Sequence, residues 1–131
     1  MIEITGHTSL YGLLGSPVAH SISPMMHNEA FKLLNLDNVY LCFDVGTDTL
    51  KTAVDGLKVA GIKGFNCTMP DKNLMYELCD NLSQAASIVG AVNTVKNENG
   101  VLYLICHMGT FQSFFFSWYF HYTYVLPLVI L

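Results

Sequence analysis

Charge runs out early in this 131-residue chain: all 16 formal charges lie at or before Glu98, and none follows it. Only six Lys and Arg stand against ten Asp and Glu, for a net charge of −4. That balance leaves no basic footprint for nucleic acid or for an anionic membrane surface, so small molecules or proteins are the expected partners. The cysteines Cys42, Cys67, Cys79 and Cys106 include no CxxC pair, and Cys and His never fall at paired ligand spacing, which argues against a metal site. No basic stretch leads into an apolar run at the N-terminus. The expectation is a reduced, cytoplasmic protein whose thiols act as buried hydrophobes. No G-x-G occurs anywhere, so the glycine-rich turn that seats a dinucleotide is missing. The length suits one domain with a real core and is too short for two ordinary ones.

What is present alternates. "SLYGLLGSP" is an apolar run closed by Gly15 and Pro17, a buried strand delivering the chain to a loop. Ser23 and Pro24 read as a helix start, with serine as N-cap and proline in the first helical position. "NVYLCFDV" is a second buried strand. Leu50, Ala53, Val54 and Leu57 then mark one apolar face of a helix that Gly61 ends. "IKGFNCTMP" is a third strand, residues 71–80 are helical, and "LSQAASIVG" is another short helix. Around Asn97-Glu98-Asn99-Gly100 the β-rich runs predict a hairpin. The fold class that follows is α/β: an open, mostly parallel sheet with helices on both faces and one antiparallel hairpin.

Ligands of open α/β sheets collect at the carboxyl ends of the strands. Three polar clusters fall there: Ser21 with Ser23, then Asn66, Thr68 and Lys72, then Asn93 with Thr94. Hydroxyls and amides beside a helix N-terminus suit a small polyhydroxylated anion. A desolvated lysine among them would lose basicity and exchange a proton with a substrate oxygen near neutral pH. Plainer roles stay open on spacing alone. Ser23 can serve only as a cap, Asn66 and Thr68 can satisfy local backbone, and Lys72 can be a solvated charge. His20 and His27 are seven apart and do not pair as i, i+4 ligands; a loop hydrogen bond and a surface helix position are expected for them.

The phrases "GSPVAHSISPMMHNEAF", "GFNCTMPDK" and "GAVNTV", in this order and spacing, resemble the start of the shikimate dehydrogenase family over residues 8–103. The resemblance implies a substrate-binding α/β domain, followed in the family by a Rossmann domain for NADP, and the reversible reduction of 3-dehydroshikimate to shikimate. It implies that Ser21 and Ser23 hold the substrate carboxylate, that Asn66, Thr68 and Asn93 bond ring hydroxyls, and that Lys72 is the catalytic lysine. Shikimate and quinate are not separated by these residues, NADP is not separated from NAD, and oligomeric state is open, a homo-oligomer included. A non-catalytic shikimate- or quinate-binding module and a membrane-tethered interaction protein are the alternatives.

Beyond the hairpin the pattern departs. The family continues with a segment resembling G-x-N-T-D-G, whose aspartate partners the lysine, whereas this chain reads "LYLICHMGTFQ" and has no Asp beyond Asp80. Residues 101–131 carry ten of the 16 aromatics. The uncharged run 111–131 has the length of a membrane span. It has no flanking Lys or Arg, and its aromatics crowd the middle instead of the ends. The expectation is a substrate domain at 1–103 followed by an atypical apolar tail at 104–131, from an interrupted or frame-shifted coding sequence, with aggregation as its consequence.

Overall fold

The structure, a computed structural model, describes residues 3–70, 72–82 and 94–105, with the backbone alone for Lys72, Asn73, Leu82 and Ile105. The expected helix at 82–90 and the tail therefore lie almost wholly outside the described residues.

Among the described residues six strands form one sheet, in the order Asn38–Asp44, Ser9–Gly15, Gly64–Cys67, Thr94–Glu98, Val101–Ile105 and Asn81–Leu82. β1 (Ser9–Gly15) is flanked in parallel by β2 (Asn38–Asp44) and β3 (Gly64–Cys67). β5 (Thr94–Glu98) and β6 (Val101–Ile105) form the expected hairpin, and β5 also runs antiparallel to β3. β6 continues two residues past Tyr103 and pairs in parallel with β4 (Asn81–Leu82). That two-residue strand stands where a helix was expected to begin, because a partner far along the chain selects it.

Side-chain alternation along the strands sorts the core onto two faces. Tyr11 and Leu13 of β1 and Tyr40 of β2 pack with Val18 and with Phe31 of α1 (Ser23–Leu33). On the other face Leu14, Phe65, Val95, Leu102 and Leu104 pack with Leu50 and Val54 of α2 (Leu50–Val59) and Met75 of α3 (Lys72–Leu78). Helices thus cover both faces, as expected.

Local signals set the element ends. α2 closes as the apolar spacing implied: the Gly61 N–H reaches the Lys58 carbonyl at 3.1 Å and the Ile62 N–H reaches that of Leu57 at 3.0 Å, the paired bonds of a Schellman cap. α1 ends the same way through Asn35 at φ 53°, with the Leu36 N–H on the Phe31 carbonyl at 2.9 Å. At the hairpin tip Asn99 (φ 52°) and Gly100 (φ 85°) make a two-residue turn whose twist matches the strands. The start of α1 differs from expectation. Ile22 already has helical angles (φ −85°, ψ −5°) and is the N-cap, so Ser23 is the first helical residue and makes no side-chain cap.

Candidate functional site

The loop from β1 to α1 carries Ser21, and Ser23 opens the helix that follows. The Ser21 N–H donates to the Val18 carbonyl at 3.0 Å, and the Ser23 N–H donates to Ser21 Oγ at 3.2 Å. Ser21, not Ser23, therefore supplies the hydroxyl that serves the helix start. Ser21 lies beside the Cys42 side chain; burial lifts that thiol above its ordinary range and the neighbouring Ser21 hydroxyl offsets part of the rise.

Asn66 lies mid-way across the sheet on the α1 face. Its Oδ1 accepts from the Tyr40 hydroxyl at 2.8 Å, and its Nδ2 donates to Thr94 Oγ1 at 3.0 Å. Register places Cys42, Leu13, Asn66 and Thr94 opposite one another in turn, a single row across four strands. Neighbouring strands lie about 4.8 Å apart, so the Cys42 end beside Ser21 is roughly 10 Å from Asn66. Tyr40 is 1% exposed. Burial first, and then the nearby Cys42 and Cys67 thiols, push its phenol far above the ordinary tyrosine range, so it remains a hydrogen donor through the neutral range. His27 stacks on the Tyr40 ring, with centroids 4.1 Å apart and planes 12° from parallel.

Thr68 follows β3. Its N–H donates to the Leu14 carbonyl at 2.9 Å, and its methyl occupies the space a Cβ on Gly15 would need. Only glycine allows that close approach of the two strand ends. The Ser16 N–H donates to the Met69 carbonyl at 3.2 Å, joining the loops that contain the cis bonds Ser16-Pro17 and Met69-Pro70.

Of the residues singled out in the sequence, Ser21 and Ser23 are bonded to each other, Asn66 to Thr94, and Thr68 abuts Gly15. Lys72 opens α3 directly after the β3 loop. Asn93 lies outside the described residues, next to Thr94. His20 is exposed. His27 is not on the surface: it is 2% exposed, because the inward face of α1 presses it onto Tyr40. Tyr40 gave no sequence signal beyond its place in a β-rich run.

The described residues do not fit a dinucleotide. β1 leads into Ser16-Pro17, and α1 places Pro24, which has no N–H, in its first turn; neither supplies the glycine-rich turn that lets a helix approach a pyrophosphate. Fold and site define an α/β domain that gathers hydroxyl and amide groups at the carboxyl ends of its parallel strands, where the antiparallel β5 begins with Thr94. Residues 13–95 match the shikimate dehydrogenase substrate binding domain, and the chain belongs to that family. It is 54% identical over 100 residues to a shikimate dehydrogenase (NADP(+)) of Listeria monocytogenes, covering 76% of this chain and 34% of the relative. Against one of Streptococcus pyogenes it is 50% identical over 106 residues, 81% of this chain and 36% of the relative. The solved shikimate 5-dehydrogenase of Listeria monocytogenes in complex with shikimate and NAD superposes with a TM-score of 0.75 at 52% identity, over 77% of this chain and 35% of that one. The chain thus spans about a third of the length of these relatives.

Proposed function

We propose that this chain holds the substrate of an NADP-dependent shikimate dehydrogenase, in the cytoplasm, gripping 3-dehydroshikimate and shikimate on the α1 face of its sheet. The observation that carries this is the cross-sheet row, with Ser21 beside its β2 end and the Tyr40–Asn66–Thr94 bonds at β3 and β5. A ring acid spans such a row with its carboxylate at Ser21 and Ser23 and its hydroxyls at Asn66, Thr68 and Asn93. Reduction of a ring ketone requires a proton at the oxygen, and Lys72 is the group assigned to move it. No step is assigned to NADP within this chain. The same reading takes 1–103 as the substrate domain and 104–131 as foreign to the family; N-T-D-G encoded in another frame downstream of the Tyr103 codon is the expected finding.

Calorimetric titration of the chain with shikimate tests the site. Saturable binding is expected, weakened about tenfold or more in Ser21→Ala, since a hydrogen bond to a charged group contributes about 1.5–3 kcal/mol. Absence of binding, or binding indifferent to both Ser21→Ala and Asn66→Ala, would overturn it.

A further inference from the structure

We infer that Tyr40 is a positioning residue for the substrate's ring hydroxyls, acting through the Asn66 amide. The inference rests on the proposed shikimate site and adds to it a residue that touches no substrate atom.

The two ends of an Asn amide have nearly the same shape and opposite hydrogen-bonding character. Which end meets a ligand hydroxyl decides whether the site donates or accepts. Tyr40 fixes that choice. Its hydroxyl donates to Oδ1 at 2.8 Å, while Nδ2 is drawn to Thr94 Oγ1 at 3.0 Å. Reversing the amide would turn an NH2 group toward the phenol and strip its buried O–H of an acceptor, which disfavours the reversed orientation.

Tyr40 is itself held from two directions by α1. The Asn28 side chain accepts from the Tyr40 N–H at 2.8 Å and donates to the Tyr40 carbonyl at 2.9 Å, and His27 lies flat on the ring. At 1% exposure, packing alone would be served by phenylalanine, because a buried hydroxyl costs free energy unless it is paired. The hydroxyl is paired with the one amide that stands in the middle of the row. The helix that begins with the Ser21–Ser23 turn therefore also sets, through Tyr40, the orientation of the hydroxyl-reading amide.

The test uses the full chain, Tyr40→Phe and Asn66→Ala, singly and combined, titrated with shikimate and with cyclohex-1-ene-carboxylate, which keeps the carboxylate and lacks the ring hydroxyls. Tyr40→Phe is expected to weaken shikimate about tenfold, leave the hydroxyl-free acid unchanged, and have no further effect once Asn66 is alanine. Equal weakening of both ligands, or a full loss that persists beside Asn66→Ala, overturns the inference. A ligand-free measurement separates it from the substrate reading. In a chain labelled with nitrogen-15 at asparagine, Tyr40→Phe should shift the Asn66 side-chain signals and speed their proton exchange several-fold. Unchanged signals overturn the role of Tyr40; if the unaltered chain binds neither ligand, the substrate reading falls and the amide signals still decide. Should Tyr40→Phe melt below the assay temperature, Thr94→Val removes the other half of the clamp and is held to the same outcomes.

Discussion

Cys79 shows how a single side chain makes stability depend on pH. Burial, then the Asp80 carboxylate, push its thiol up to about 11, against a smaller opposing pull from Lys58. The folded state therefore keeps this proton while the unfolded chain gives it up from about pH 8.5. The unfolded state binds fewer protons in that window, so stability is fully present below it and falls as pH rises toward 11. Tyr40 and Tyr11, also raised by burial, extend the fall at higher pH. Urea unfolding at pH 8 and pH 10.5 should show the drop, and Cys79→Ala should reduce it; equal stabilities at the two pH values would refute the assignment. At this scale the sequence was readable only in part. Ser21, Ser23, Asn66 and Thr68 stood out because they sit in long motifs at strand ends. Tyr40 and His27 did not. A tyrosine in a β-rich run is read as core filling, and only the tertiary fold reveals which buried hydroxyl faces an amide and which histidine is turned inward.

Elements bring a different economy of bonds. Among the described residues β2 is an edge of the sheet, and an edge with open N–H and C=O groups invites pairing with another chain. Asn28 closes that edge at Tyr40, since its amide takes the place of a peptide on a neighbouring strand. Asn28→Ala should cost about 2 kcal/mol by loss of two partly buried bonds, read as a lower urea midpoint with unchanged slope, together with faster fibril formation. A midpoint within error of the parent would show that water replaces the amide without penalty. At the hairpin tip Gly100 has φ 85°. Gly100→Ala should destabilise by about 1–2 kcal/mol, the cost of a Cβ in left-handed backbone. α2 and the hairpin were legible because their determinants are local: an apolar spacing with a glycine stop, and Asn-Gly between strands. β4 was not legible, because two residues carry no period and their ladder with Tyr103 and Leu104 is a long-range decision. The start of α1 moved by one residue because Ile22 adopts helical angles ahead of the serine, which spacing does not encode.

Across the whole molecule, the proposed site and the two cores are coupled through the sheet. Ser21 and Ser23 arrive at the start of α1, and Tyr40, Asn66 and Thr94 from β2, β3 and β5 on the α1 face. A ligand seated on them contacts the native arrangement and not the unfolded chain, so it must stabilise the domain by mass action. At shikimate a hundredfold above Kd the gain is about 2.7 kcal/mol, or a rise in Tm of roughly 10 °C for a domain of this size. The rise should shrink in Ser21→Ala and Asn66→Ala by the amount their Kd increases, since both read the same equilibrium. Hydride chemistry should not accompany binding. No G-x-G occurs in the chain and no Asp follows Asp80, so the chain supplies neither a nucleotide turn nor the aspartate that the family resemblance would pair with Lys72. Mixing the chain with dehydroshikimate and NADPH should therefore leave the NADPH absorbance constant while the melting temperature climbs. A melting temperature indifferent to shikimate at every concentration would remove the site; a falling NADPH signal would show that the residues described here do more than hold the ring.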